Sequence, residues 1–191
     1  MKNYIIIHHS AVSREKNSNQ FDAIERYHAS KGWGQNTGYH YLIESDGTIK
    51  QGRKENEIGA HCKEDNKNYD SIGICLTGNF DIEKPTVKQI KSLFRLIKDI
   101  KTRHDIKEVN GHRKYATYKL CPGVLFTDTM IKFLNKDMKI IIGKCKDICK
   151  IADVFENDKR YTEMYNRVDL ARFKVMKKRA SQIADFLREF E

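Results

Sequence analysis

The order of apolar and polar positions predicts strands that alternate with helices over about the first 135 residues. Ile5 to Ile7 are consecutive β-branched residues, which are typical of a strand buried on both faces. Residues 71–80 contain a second apolar run of this kind, which ends at a glycine and an asparagine. Between the two runs, Asp46 and Gly47 separate two alternating segments and predict a hairpin turn.

Apolar residues at three- and four-residue spacing predict three helices in the same region. Residues 18–31 and 127–135 predict two short helices, and residues 85–103 predict a long amphipathic one. The apolar face of the long helix carries Ile90, Leu93, Phe94 and Ile97. This alternation of strands with helices predicts an α/β fold with a central mixed β-sheet flanked by helices.

After about Lys136 the pattern changes to charged residues with widely spaced apolar ones. Residues 144–191 contain no glycine and no proline, and their apolar positions predict a helix with one narrow stripe. The stripe consists of Phe173, Met176, Ala180, Ile183, Leu187 and Phe190. We therefore predict a first domain over residues 1–138 and a helical C-terminal extension over residues 139–191. The stripe is compatible with docking onto the first domain, with self-association or with contact to a membrane.

The composition favours a folded chain with an anionic partner. Of the 191 residues, 39% are hydrophobic and 10% are aromatic, which is enough for a core and argues against global disorder. The formal net charge of +10 favours nucleic acid, a membrane surface or an acidic cell-wall polymer. The charge is spread along the chain, so a lysine-rich surface without such a partner explains it equally well. Since no recognised nucleic-acid motif is present, we expect no nucleic-acid partner.

The five cysteines occur at irregular spacing, which argues against a disulfide framework. Two of them, Cys145 and Cys149, lie one helical turn apart, a spacing that could hold a metal; because no histidines lie nearby, we predict instead that they are small buried residues. The apolar run at the start of the chain is too short for a signal peptide, and no stretch approaches the length of a transmembrane helix. We therefore expect synthesis in the cytoplasm, with release by another agent if the protein acts outside it.

Histidines and a cysteine from separate segments form a candidate metal site. His8 and His9 end the first strand, and a later loop contains His112 and Cys121. Zinc binds imidazole and thiolate, and a catalytic zinc has three protein ligands and an open fourth position. Neighbouring residues of a strand point to opposite sides, so only one of the two adjacent histidines can face a shared metal. Taken singly, each of these residues also fits a structural role, and the spacing alone does not decide.

Four segments occur in the same order as the motifs of the zinc-dependent N-acetylmuramoyl-L-alanine amidases. They read IIIHHSAV, GWGQNTGYHYLIESDGTIKQGR, IGAHCKEDNKNYDSIGICLTGNF and GHRKYATYKLCPG. Over about residues 1–135 the chain resembles this family, which includes amidase-type phage lysozymes and peptidoglycan recognition proteins. The resemblance implies the fold of that family, a Zn²⁺ cofactor and peptidoglycan as the partner. Residues 1–138 would then form the catalytic domain, and the C-terminal extension lies outside the resemblance.

The resemblance also implies roles for individual residues. It places the zinc ligands at His8, His112 and Cys121. The catalytic pair of the family corresponds here to Tyr39 and Lys119.

Two further residues, His61 and Asn66, match the groove in which the family binds the stem peptide of its substrate. Trp33, by contrast, follows a helix-ending glycine and is predicted to pack in the core rather than to stack on sugar.

The implied reaction is hydrolysis of the amide bond that joins the lactyl group of N-acetylmuramic acid to L-alanine. Zinc lowers the pKa of water to about 7 and polarises a carbonyl. Lys119 is a compact permanent cation, which would stabilise the oxyanion that forms. Tyr39 would hydrogen-bond the water or the intermediate and help to move a proton.

Among proteins with this activity, we expect a phage-type endolysin that reaches the host wall from the cytoplasm or periplasm. A bacterial amidase that recycles wall fragments is an alternative. A non-catalytic peptidoglycan receptor on the same fold is another. Because such receptors commonly lack the cysteine ligand, the presence of Cys121 together with Tyr39 and Lys119 favours an enzyme.

Overall fold

A computed structural model describes residues 1–15, 19–33, 37–136, 138–157 and 167–188 of the chain. The chain forms two compact units, Met1–Asn135 and Lys136–Glu191, each of which is described by itself. The division falls close to the predicted domain boundary at residue 138.

A five-stranded mixed sheet forms the centre of the first unit. Its strands are β1 (Tyr4–His9), β2 (Tyr41–Ile43), β3 (Ile49–Gln51), β4 (Ser71–Leu76) and β5 (Glu108–Gly111). Their order across the sheet is β3-β2-β4-β1-β5. β1 runs parallel to β4 and β5, β2 runs parallel to β4, and β2 and β3 form the antiparallel hairpin. The predicted α/β fold with a central mixed sheet is confirmed.

β1 lies in the interior of the sheet, as its apolar sequence predicts. Ile5, Ile6 and Ile7 are fully buried, and strands pair with β1 on both sides. Near the end of β1, His8 lies in register beside Cys75 of β4. Because parallel strands end at the same edge of a sheet, residues that end β1 and follow β5 are brought together there.

Within its described residues, the first unit has four helices and two 3₁₀ turns. The helices are α1 (Phe21–Ser30), α2 (Lys67–Asp70), α3 (Val87–Arg103) and α4 (Asp128–Leu134), and the 3₁₀ turns are Glu64–Asn66 and His112–Lys114. The long amphipathic helix is α3, which begins after Thr86 because this residue forms a capping box with Gln89.

The start of α1 differs from its prediction. The pattern predicts a helix from residue 18, which lies outside the described residues, and α1 begins at Phe21. There the Glu44 carboxylate accepts hydrogen bonds from the backbone N–H groups of Gln20 and Phe21. An anion supplied by the β-hairpin therefore caps the helix, and local sequence does not reveal such a distant partner.

The second unit consists of two helices, α5 (Met138–Asn157) and α6 (Arg167–Arg188). Its small core is formed by Cys145, Ala180 and Ala184, against which Ile141 and Cys149 pack. Cys145 is therefore buried as predicted, whereas Cys149 is only half-buried and packs against the core from its edge.

The predicted apolar stripe of α6 is only partly buried. Ala180 lies in the core, whereas Met176 and Ile183 are exposed, because small residues let the two helices approach along Ala180 and Ala184 instead. The side chains of Phe173, Leu187 and Phe190 lie outside the described residues. No helix in the described part of the chain is both long and apolar enough to cross a membrane. Self-association and membrane contact through the extension stay predictions.

Glu55 connects the loop after β3 to the end of α3. Its carboxylate accepts hydrogen bonds from the hydroxyl of Tyr41 at 2.7 Å, from Arg103 at 2.7 Å and from His104 at 2.8 Å. Burial acts to raise the pKa of Glu55, but the bonds from Arg103, Tyr41 and His104 outweigh it and lower the pKa to about 2.

The Glu55 network predicts a pH-dependent part of the stability. Because the folded pKa of about 2 lies below the ordinary value of 4.5, this stabilisation is fully present above pH 4.5 and is lost as the pH falls through 2. We expect Glu55→Gln to lower the free energy of unfolding at pH 7 by about 1–3 kcal/mol, with the deficit shrinking between pH 4.5 and pH 2. Urea unfolding at several pH values measures this.

The matched control is Glu108→Gln, because Glu108 forms a half-exposed ion pair with Lys114. Such surface pairs contribute about 0–1 kcal/mol. A deficit for Glu55→Gln that is the same at every pH would contradict the assignment.

Candidate active site

The carboxyl ends of β1 and β5 bring two histidines together. His8 is the fifth residue of β1, and His112 directly follows β5, with Ile7 and Gly111 paired in register. The ring centroids of His8 and His112 are 4.5 Å apart. Both side chains are buried, at 1% and 5% exposure, so the parallel pairing of the strands positions them in the interior.

Arg113 holds the loop that carries Cys121. Its backbone N–H donates to the carbonyl of Cys121 at 2.7 Å, and its guanidinium donates to the carbonyls of Gly123 at 3.0 Å and Phe126 at 2.8 Å. The carboxylate of Asp128 accepts a further hydrogen bond from the same guanidinium at 2.6 Å. These contacts fix the loop mainly through its backbone carbonyls. The sulfur of Cys121 takes no part in them and stays available to a metal.

Cys121 completes a three-donor cluster. Its sulfur lies 3.6 Å from Nδ1 of His8, and the donor atoms of His8, His112 and Cys121 all lie within 4.8 Å of one another. Two imidazoles and a thiol are a donor set that suits zinc. The structure thus brings together the three predicted ligands in a group that can hold a metal ion.

The protonation of the two histidines suits a ligand role. Burial, followed by the charges of His112, His61 and Lys119, lowers the pKa of His8 well below its ordinary value. Burial and Lys119 also lower the pKa of His112, against an opposing effect of Glu64. Both rings are therefore neutral near pH 7, the form that binds metals.

The thiol of Cys121 is protonated in the absence of a metal. Burial raises its pKa to about 11, and the backbone N–H of His9 and the charge of Lys119 act in the opposite direction. Metal binding must therefore displace a proton from the sulfur.

His9 faces the other side of the strand, as alternation predicts. Its Nδ1 accepts a hydrogen bond from the backbone N–H of Phe80 at 3.1 Å, and the two rings lie 5.9 Å apart. Of the two adjacent histidines, only His8 reaches the cluster.

His61 lies directly behind His8. Its Nδ1 is 3.1 Å from Nε2 of His8, while its own Nε2 is buried without a partner among the described residues. The ring fits closely against Gly59 and Gly73, where an added Cβ would come within 2.5 Å of it. The resemblance implies a substrate-binding role for His61, and the structure places it where it orients His8.

The other predicted groove residue, Asn66, is exposed in the Glu64–Asn66 turn, with a left-handed φ of 55°. The neighbouring Asn68 shapes the segment instead. Its side-chain carbonyl accepts hydrogen bonds from the backbone N–H groups of His61 and Cys62, both at 2.8 Å.

Tyr39 contacts the cluster from the segment before β2. Its ring centroid is 5.1 Å from that of His8. Burial, the nearby sulfurs of Cys75 and Cys121, and a hydrogen bond with Cys75 raise the pKa of its hydroxyl well above the ordinary value. The hydroxyl therefore keeps its proton and can donate it in a hydrogen bond.

Lys119 is exposed at the rim of the cluster. Its ammonium lies 5.4 Å from the ring centroid of Tyr118, and its charge contributes to the lowered pKa values of His8 and His112. It follows that Lys119, although exposed, is close enough to act electrostatically on the cluster.

A groove of about 580 Å³ adjoins the cluster at Tyr39. It is lined by Ser10, Val12, Gln20, Ala23, Ile24, Tyr27, His28, Trp33 and Tyr39. The prediction that Trp33 packs in the core is wrong, since 43% of this residue is exposed. The indole ring lies 4.9 Å from the His28 ring between centroids, but α1 ends at Ser30 and Gly32 has a left-handed φ, so the ring stays at the surface.

Several residues at the cluster are not identified by sequence reasoning. They are Cys62, Glu64, Cys75, Arg113 and Tyr118. Only Cys75 has a usable signal, because it lies in the second apolar run, which predicts a buried strand.

An α/β domain with a buried His-His-Cys cluster beside a groove is typical of a metal-dependent hydrolase. Residues 2–124 match the family model of N-acetylmuramoyl-L-alanine amidase, Amidase_2. The chain belongs to this family.

Individual relatives agree with the family. The endolysin of Escherichia phage T7 is 32% identical over 123 residues, which cover 62% of this chain and 78% of that protein. Peptidoglycan-recognition protein SC2 of Drosophila melanogaster is 35% identical over 128 residues, which cover 63% of this chain and 67% of that protein. The structure of the amidase LysC from Clostridium intestinale URNW has a TM-score of 0.60 at 33% identity and covers 69% of this chain and 83% of its own. The resemblance, the fold and the enzyme class predicted from the sequence are confirmed.

Proposed function

We propose that the protein is a zinc-dependent amidase that hydrolyses the bond between N-acetylmuramic acid and L-alanine in peptidoglycan. The observation that carries this proposal is the convergence of His8, His112 and Cys121 within 4.8 Å, in a chain of the amidase family. These three residues would hold the ion through two neutral imidazoles and one sulfur. When bound, zinc supplies a Lewis acid that polarises the scissile carbonyl and makes water acidic.

Tyr39 and Lys119 are proposed to act on the reacting atoms. The Tyr39 hydroxyl keeps its proton beside the cluster and can donate a hydrogen bond to the attacking water or to the developing oxyanion. The Lys119 ammonium carries three donors on a flexible stem at the rim, which suits it to negative charge that appears only in the transition state.

The groove beside Tyr39 is proposed to hold the part of the substrate next to the scissile bond. Its lining is mainly apolar and aromatic, with the Trp33 ring exposed at one side. Such surfaces stack on sugar rings or pack against peptide side chains.

Trp33→Ala tests this groove. We expect KM to rise about threefold to tenfold with kcat nearly unchanged, because an aromatic contact made equally in the ground and transition states contributes about 0.5–1.5 kcal/mol. Steady-state kinetics on a soluble muramyl-peptide measure both constants. Ile82→Ala, which truncates an apolar residue that is 69% exposed and not part of the groove lining, should leave both constants unchanged. A fall in kcat alone for Trp33→Ala would contradict the binding role.

Within the amidases, a phage-type endolysin is the proposed biological role, supported by endolysins of three phages among the relatives. A peptidoglycan receptor is the second candidate, because peptidoglycan-recognition proteins match at 35% identity. The presence of Cys121 beside both histidines favours the enzyme over the receptor.

Digestion of purified peptidoglycan separates the two candidates. An amidase should release stem peptides with a free L-alanine amino group, which mass spectrometry of the products identifies. The protein should also contain one zinc per chain. Binding to peptidoglycan without the appearance of new amino groups would instead identify a receptor.

A further inference from the structure

Three hydrogen-bond donors converge on the carboxylate of Glu64. The hydroxyl of Tyr118 donates to Oε1 at 2.5 Å. At the other oxygen, Nε2 of His112 lies 3.5 Å and the sulfur of Cys62 lies 3.6 Å from Oε2. Only 15% of the Glu64 side chain is exposed, and the carboxylate is held by Cys62 from its own segment and by His112 and Tyr118 from the segment after β5.

The contact with Glu64 determines which nitrogen of His112 is free. A carboxylate only accepts hydrogen bonds, so Nε2 of His112 carries the proton in this contact, and Nδ1 keeps its lone pair for a metal. His8 has the same arrangement, with Nε2 against His61 and Nδ1 toward the sulfur of Cys121. The two histidines differ in that His8 has a neutral partner and His112 has an anionic one.

We propose that Glu64 is a positioning residue of the metal centre, which fixes the tautomer and ring orientation of His112 and strengthens it as a ligand. Cys62 and Tyr118 keep the carboxylate in place for this role. A carboxylate behind a metal-binding histidine makes the imidazole more basic and limits its rotation. The inference rests on the proposed function, because it takes His112 as a zinc ligand.

A competing arrangement uses the same atoms. The donor atoms of Cys62, Glu64 and His112 also lie within 4.8 Å of one another and could hold a cation themselves. We favour the positioning role because the observed contacts give each polar group a hydrogen-bond partner, and because a second cation would need the His112 nitrogen that faces Glu64.

The test compares zinc binding by the full-length wild type, Glu64→Gln and Glu64→Ala. Competition with a chromophoric chelator gives the zinc affinity, and the absorption spectrum of the cobalt-substituted protein reports the ligand geometry. Loss of such a partner typically lowers metal affinity about 10- to 100-fold. We expect the affinities to fall in the order wild type, Glu64→Gln, Glu64→Ala, since glutamine keeps an acceptor oxygen but not the charge, and we expect the cobalt spectrum to change. Glu108→Gln, which removes a carboxylate at the start of β5, should bind zinc like the wild type.

A second variant keeps the test decisive if the Glu64 variants do not fold. Tyr118→Phe removes one donor to the carboxylate from a ring that is 71% exposed, so it should fold normally and lose zinc affinity in the same direction but by less. Metal-free unfolding curves confirm that each variant is folded.

The outcomes separate this inference from the proposed function. A wild type that binds no zinc would overturn the proposed function and this inference with it. One zinc in the wild type, with unchanged affinity and cobalt spectrum in Glu64→Ala, would overturn only the positioning role. A second zinc equivalent that disappears in Cys62→Ser would show that these residues form a metal site of their own and would likewise overturn it.

Discussion

Cys121→Ser is expected to remove the bound metal and to lower turnover by about 10³-fold or more. The sulfur is one of three donors in the cluster, and a serine hydroxyl in its place is a poor zinc ligand because it does not ionise near neutral pH. A metal acting as a Lewis acid stabilises the transition state by several kcal/mol, and each 1.36 kcal/mol corresponds to a factor of ten. Zinc content by elemental analysis and release of amino groups from peptidoglycan measure the two effects.

The substitution should leave the fold intact. Arg113 binds the backbone of the Cys121 loop, and these contacts do not involve the sulfur. Cys149→Ser is the matched control. It makes the same sulfur-to-oxygen replacement in the second unit and should keep both zinc and activity. Chelation of the wild type should reproduce the loss, and added zinc should reverse it. A Cys121→Ser protein that keeps one zinc and its activity would exclude the proposed metal centre.

Where regular secondary structure positions a site residue, the sequence predicts its placement. The apolar run of β1 identifies a buried strand, and alternation means that only one of its two histidines can face the metal. The choice of His8, and the assignment of His112 and Cys121 to the same centre, came from the family resemblance. Residues on parallel neighbouring strands converge by topology, whereas Cys121 arrives on an irregular loop whose course depends on Arg113.

The surroundings of the metal ligands were not predictable. Glu64 reaches His112 from a turn in which Asp65 and Asn66 adopt left-handed backbone angles, and no periodic pattern encodes such a turn. Long-range contacts also determine features that local patterns do not reveal. Glu44 sets the start of α1, and Ala184, which is not part of the predicted stripe, packs in the core of the second unit beside Ala180.

Lys119→Met is expected to lower kcat by about 10²–10³-fold while zinc content stays at one per chain. Methionine keeps much of the length of the side chain but removes the ammonium, and loss of one donor to an oxyanion has an effect of this size. KM should change little, because the charge that Lys119 stabilises is absent from the bound substrate. Lys119 is exposed, so the substitution has little effect on packing.

Two further variants decide whether the effect belongs to the position or to the general charge of the loop. Lys114→Met removes a lysine five positions earlier that pairs with Glu108, and it should leave kcat within about twofold of the wild type, because a surface ion pair contributes little to the transition state. Lys119→Arg keeps the charge but spreads it over a planar fork, and it should restore part of the lost kcat. Equal losses for Lys114→Met and Lys119→Met would contradict the specific role of Lys119, because both lysines would then act only through the positive charge of the loop. A loss confined to Lys119→Met at full zinc content would support stabilisation of the oxyanion by this ammonium.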